Sequence, residues 1–173
     1  IAASQAELDA AFGILSDNGN LADGSALFNA TDANLITSST KDAAGIGQGV
    51  SALRNMLINT KASDADAKFL ICPSADESAA RSALVGLSFD RPYLEIVPSA
   101  YMSGGWIVMA DPESFPTLAR GTMRGSGGVS LRFGPGKPNN KEGSRDLVFE
   151  GLHSYDYAAV SRTGAVRAAG VHR

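Results

Sequence analysis

The chain has 173 residues, 44% of them hydrophobic and 19% charged, with a formal net charge of −3. One cysteine, Cys72, excludes a disulfide framework and a multi-cysteine zinc site. No apolar run approaches the roughly 18 residues of a membrane span. Charge is uneven. Residues 1–67 carry three Lys/Arg and eight Asp/Glu, whereas residues 120–173 carry nine and four. No block is dense enough for a nucleic-acid arm, but the two ends suit head-to-tail attraction between subunits. The start, Ile1-Ala2-Ala3-Ser4, has neither a secretory pattern nor Met, as expected of a processed or excised piece.

Residues 1–15 read as an amphipathic helix, with Ser4 and Glu7 in a capping box and Leu8, Ala11, Phe12 and Leu15 on one face. Residues 21–45 read as loop, punctuated by Leu27, Phe28, Leu35 and Ile36. Val50, Leu53, Met56 and Leu57 predict a helix over 47–60. Lys68–Pro73 reads as a strand. Ser74 caps the next helix, with Glu77 at its third position. Tyr93–Val97 is a strand ended by Pro98, and Trp106–Met109 is an apolar run of strand length. Thr117–Met123, Val129–Phe133, Leu147–Phe149 and Tyr155–Ala159 have strand character, with Gly134–Asn140 as a turn-rich loop between. Residues 161–173 read as a tail anchored by Val166 and Val171. The pattern is α+β, helices early and strands late.

The residues do not compose a catalytic site. Gly45-Ile46-Gly47-Gln48-Gly49 lacks the spacing and ending of a phosphate loop and reads as a turn and helix start. Gly125-Ser126-Gly127-Gly128 is not a nucleophile elbow. His153 and His172 are too far apart for a compact metal motif. Cys72, closing an apolar strand, reads as a buried thiol. The paired carboxylates sit where caps and turns are expected. Neither cofactor nor metal is expected.

Four stretches, in order, carry a resemblance. They are Ala22–Leu35 with its Asp23-Gly24 and Leu27-Phe28-Asn29, Lys68–Pro73 with its following helix, Gly105–Pro112, and Val148–Arg167. With Val50–Thr60 as a spine helix, they resemble the C-terminal part of tailed-phage major capsid proteins of the HK97-type fold. The likeness is greatest to Mu-like major head subunits, including those fused to a prohead protease. Asp32 stands where that family commonly has histidine, and Tyr155-Asp156-Tyr157 replaces its usual phenylalanine-glycine.

The resemblance implies an HK97-like α+β fold, a peripheral domain with a spine helix and long strands plus an α/β axial domain. Residues 1–66 would belong to the peripheral domain, 67–115 to the axial core, 116–160 to returning peripheral strands and 161–173 to a C-terminal tail on the axial side. The N-terminal arm and extended hairpin of a full subunit would be missing, with 134–145 a local elaboration. It further implies a non-enzymatic structural subunit that forms pentamers and hexamers around double-stranded DNA. Assembly would take place in a bacterial host cytoplasm, with a scaffold or prohead protease as partner and no membrane. Weak contact with packaged DNA through Arg124, Arg162 or Arg167 stays open. Arg120, Arg124, Arg162, Asp32 and Trp106 are the expected intersubunit contacts. The competing readings are a β-rich binding or scaffold domain and a serine hydrolase of a protease–capsid fusion using His153.

Overall fold

In a computed structural model, the described residues are 2–37, 39–60, 66–87, 94–122, 129–138, 145–153, 155–168 and 171–172. The elements are α1 (Ala2–Ser16), β1 (Leu35–Ile36), β2 (Ser39–Thr40), α2 (Ala43–Asn59), β3 (Ala67–Pro73) and α3 (Glu77–Leu87). They continue with β4 (Glu95–Ser99), β5 (Trp106–Ala110), β6 (Leu118–Thr122), β7 (Val129–Pro138) and β8 (Arg145–His153). The last are β9 (Tyr155–Ala159), β10 (Ala165–Ala168) and β11 (Val171–His172).

A five-stranded mixed sheet in the order β1-β10-β5-β3-β4 forms the centre. Strand β5 lies in the middle, antiparallel to both β10 and β3. All five of its residues are buried, which is why its sequence is apolar without alternation. Strands β3 and β4 run parallel and are joined through α3, the kind of crossover a parallel pair needs.

The period of two sends alternate side chains to opposite faces. On one face Leu70, Cys72, Trp106, Val108 and Val166 pack under Ile46, Val50, Leu53 and Leu57 of α2 and Ala80 and Ala83 of α3. On the other, Ile71, Ile107, Met109 and Ala165 pack under Leu15 of α1 and the Leu27-Phe28 pair. Each large aliphatic buried in this way contributes about 1.5–3 kcal/mol.

Outside this sheet, β6 and β9 form an antiparallel ribbon, β7 and β8 a longer one, and β2 pairs with β11. The β7–β8 register runs from Val129↔His153 to Pro138↔Arg145. Strands of 10 and 9 residues reach about 30 Å.

Several expectations need correction. Ser4 lies inside α1 and does not cap it, and Leu8 is 47% exposed, off the helix's packed face. Helix α2 begins four residues earlier than the periodicity indicated, because Asp42 caps it, accepting from the Gly45 N–H at 2.9 Å. Gly45 and Gly49 therefore sit in its first turns. A Cβ on Gly45 would run into the Thr40 carbonyl, so glycine there permits a close approach of the backbone.

Ser74 does not cap α3. A 3-10 turn, Ser74–Asp76, comes first, and the helix proper starts at Glu77. Pro98 does not end β4 but sits within it, opposite Cys72, which an edge strand tolerates. Gly134–Pro138 continues β7 and is not a loop. Residues 165–168 are not tail but the strand between β1 and β5. Helix propensity and strand alternation are weak in such short segments, so pairing partners decide them.

Candidate functional site

The segment between α1 and β1 lacks regular structure, yet it is tightly built. Two of its apolar residues, Leu27 and Phe28, are 0% and 1% exposed. Burying them takes their backbone groups from water, and two asparagines replace that water. The Asn18 side chain donates to the Phe28 carbonyl at 3.0 Å and accepts from the Phe28 N–H at 2.6 Å. Asn34, wholly buried, donates to the Leu27 carbonyl at 2.8 Å and accepts from the Asn29 N–H at 2.7 Å. Neither asparagine was singled out from the sequence. The available signal was an amide on each side of an isolated apolar pair in a loop.

Arg162 fastens this segment to the C-terminal part of the chain. Its Nε and Nη2 both donate to the Ala26 carbonyl, at 3.0 and 2.7 Å. Nη2 also donates to Ser25 Oγ at 2.6 Å, and Nη1 lies 3.0 Å from Asp32 Oδ2. Asp23, bonded to the Ser25 hydroxyl and N–H, is held below the ordinary carboxylate range by those bonds, the hydroxyl first, with Arg162 adding to the effect. Asp32 and Arg162, both expected to reach a neighbouring subunit, thus meet each other within one chain.

Arg167 performs a similar task deeper in. Its guanidinium lies over the Phe28 ring, 5.9 Å from the centroid, and Nη1 donates to the Leu15 carbonyl at 3.4 Å. Burial lowers its pKa from the usual arginine value, and the Asp17 charge opposes that shift. Both arginines are therefore committed to internal contacts.

Trp106 is 3% exposed and belongs to the core. Its Nε1 donates to Asp76 Oδ2 at 3.2 Å, while Asp76 Oδ1 takes Lys41 Nζ at 2.7 Å. This clasp joins the start of β5, the turn before α3 and the turn before α2. Its indole faces its own chain's helices, not the surface where it was expected.

Arg120 lies on β6 and is exposed, opposite Tyr157 of β9. Ala119, Gly121, Asp156 and Ala158 of the same ribbon are exposed with it. Arg124 lies outside the described residues, and so do the side chains of His153 and His172. Of the four that are described, Asp32 and Arg162 meet each other, Trp106 lies in the core and Arg120 stands on the ribbon.

Cys72 is fully buried, and burial, followed by the charges of Asp76 and Glu77, pushes its thiol up to about 11. Such a thiol is protonated at neutral pH and is a poor nucleophile. Among the described residues no group of three or more His, Cys, Asp or Glu could hold a metal ion, and no helix is long and apolar enough to cross a membrane. The geometry is that of a braced structural domain with an exposed strand ribbon.

Comparison with known proteins agrees with that picture. A family model described as phage capsid protein matches residues 1–170. No curated protein and no solved structure matches the chain.

Proposed function

The chain belongs to the phage capsid protein family, and from that premise we propose that it tiles an icosahedral shell as pentamers and hexamers around double-stranded DNA. A structural role in the virion follows from the family itself. The finer reading adds an HK97-type fold of the Mu-like kind, with the five-stranded sheet and its helices as the axial domain. Helix α2, about 25 Å long, would be the spine. The β6–β9 and β7–β8 pairs would be the long peripheral strands. On this reading the axial core, expected over 67–115, would also take in β1 and β10, which join the same sheet. Assembly in a bacterial host, with a scaffold or prohead protease, belongs to the same reading.

The observation that carries it is a family match across nearly the whole chain. Asn18, Asn34, Asp76, Arg162 and Arg167 all point inward to their own chain. A subunit that must survive the stresses of a shell needs such bracing more than it needs a pocket.

Charge supports contacts between copies. Residues 1–67 carry a net −5 and residues 120–173 a net +5, so a head-to-tail arrangement pairs opposite signs. Contacts of that heterologous kind close into rings.

We assign Arg120, Arg124 and the neighbouring strand to the intersubunit face. Replacing both by Glu should lower the assembled fraction several-fold in sedimentation velocity at low salt, with far-ultraviolet circular dichroism unchanged. Assembly equal to that of the unaltered chain would remove these residues from the interface.

A further inference from the structure

We propose that Asn18 is a covalent modification site, an asparagine whose deamidation the fold suppresses and whose conversion unfastens the Leu27-Phe28 segment.

Asn18-Gly19 is the chain's one Asn-Gly pair. Such a pair is chemically labile, because glycine has no side chain to shield its backbone nitrogen. On losing its proton, the Gly19 nitrogen attacks Asn18 Cγ. A nitrogen–carbon bond closes a cyclic imide, and the Cγ–Nδ2 bond breaks with loss of ammonia, which carries the proton away. Water then opens the imide at either carbonyl, leaving aspartate or its β-linked isomer. A water is consumed and an ammonia released, and no oxidant or reductant takes part.

The fold requires both residues. Asn18 has φ 55°, in the left-handed region that few L residues enter. Its side chain must also donate to the Phe28 carbonyl and accept from the Phe28 N–H. Glycine would tolerate the backbone but offers neither group, and an ionised aspartate lacks the donor. Asparagine meets all three demands. At the next position a Cβ would fall 2.8 Å from Ile14 Cγ2, so glycine fits the contact with α1.

The same contacts hold the reaction in check. The electrophile is fixed, because both ends of the Asn18 carboxamide are bonded to Phe28. The nucleophile is occupied, because the Gly19 N–H donates to the Ile14 carbonyl at 2.8 Å. The Gly19 carbonyl accepts from the Leu27 N–H at 2.9 Å, which pins the same peptide from its other side. Attack needs these bonds to open together, so it proceeds from a locally unfolded chain. The product cannot restore them. A carboxylate oxygen in place of Nδ2 faces the Phe28 carbonyl, acceptor against acceptor, and the β-linked isomer lengthens the backbone at that point.

Peptide mapping by mass spectrometry tests this on the full chain, held in mildly alkaline buffer with and without guanidinium. In guanidinium, Asn18 should convert before every other asparagine. In the folded chain it should convert about tenfold or more slowly, since opening must come first. Asn18→Asp supplies one product directly. It should speed hydrogen exchange at the Leu27 and Phe28 amides about tenfold or more relative to the parent. The rate comparison uses the unaltered chain and holds whether or not that variant folds.

Equal conversion with and without guanidinium would overturn the suppression by the fold. Conversion in guanidinium no faster than at the other asparagines would remove the site. Leu27 and Phe28 amides as well protected in Asn18→Asp as in the parent would overturn the link to the segment.

Discussion

Arg162 Nη1 lies 3.0 Å from Asp32 Oδ2, joining the last stretch of the chain to the loop before β1. The same guanidinium holds the Ala26 carbonyl twice and the Ser25 hydroxyl once. One side chain thereby closes a contact between segments far apart in the sequence.

Replacing Arg162 by Ala should cost about 1.5–3 kcal/mol, because it leaves the Ala26 carbonyl and the Asp32 carboxylate without their charged partner. Arg162→Lys should recover less than half of the loss, since an ammonium cannot present the planar fork. Urea denaturation of the three proteins measures both values. An Ala variant as stable as the parent would show that the clamp is ornamental.

The glycines of α2 separate two effects. A Cβ on Gly45 meets the Thr40 backbone, whereas one on Gly47 meets only Leu87 Cδ2 at an ordinary 3.7 Å. Gly45→Ala should destabilise by about 1–3 kcal/mol through forced displacement. Gly47→Ala should stabilise by about 0.5–1 kcal/mol through helix propensity. Thermal unfolding should thus move in opposite directions for two identical substitutions two positions apart.

Much of the framework was legible before the structure. Helix α2 and strands β3, β5 and β9 follow from patterns long or apolar enough to stand alone. The first half of the bracing loop was also visible, since Leu27 and Phe28 had to be anchors. What the sequence could not show was decided by distant partners. Residues 165–168 become a central strand because β5 and β1 flank them, and their four residues carry no periodicity of their own. Asp32 and Arg162 were both read as facing outward because nothing local reveals that they face each other. Trp106 was expected at an intersubunit contact, yet it starts an apolar strand in the middle of the sheet and is buried within its own chain.

Cys72 should be inert in the folded chain. With its thiol at about 11, the thiolate fraction at pH 8 is on the order of 0.1%. A maleimide should label it at a rate set by unfolding, and rapidly in urea. The raised pKa also has a stability consequence. Its contribution is fully present below the ordinary thiol value of 9.0 and is lost as pH rises from there toward 11. Fast labelling of native protein would contradict the burial.

Acid acts through a different set. Asp42 is lowered by its bonds from the Thr40 hydroxyl and the Gly45 N–H, Asp23 by Ser25, and Asp111 by Lys68. Each folded-state pKa is depressed, so each contribution is complete above the unfolded value of 3.8 and declines as pH falls through the lower folded one. Unfolding free energy measured from pH 5 downward should therefore fall. Asp42→Asn, which keeps the cap but cannot titrate, should flatten that decline. An unchanged slope would remove Asp42 from the acid response.

The central claim is that this chain builds a shell. The most direct measurement is electron microscopy with mass photometry on particles formed by the purified chain across salt and concentration. The account predicts closed particles of narrow mass distribution, composed of rings of five and six copies. A chain that stays monomeric throughout, or grows only into open irregular aggregates, would contradict it.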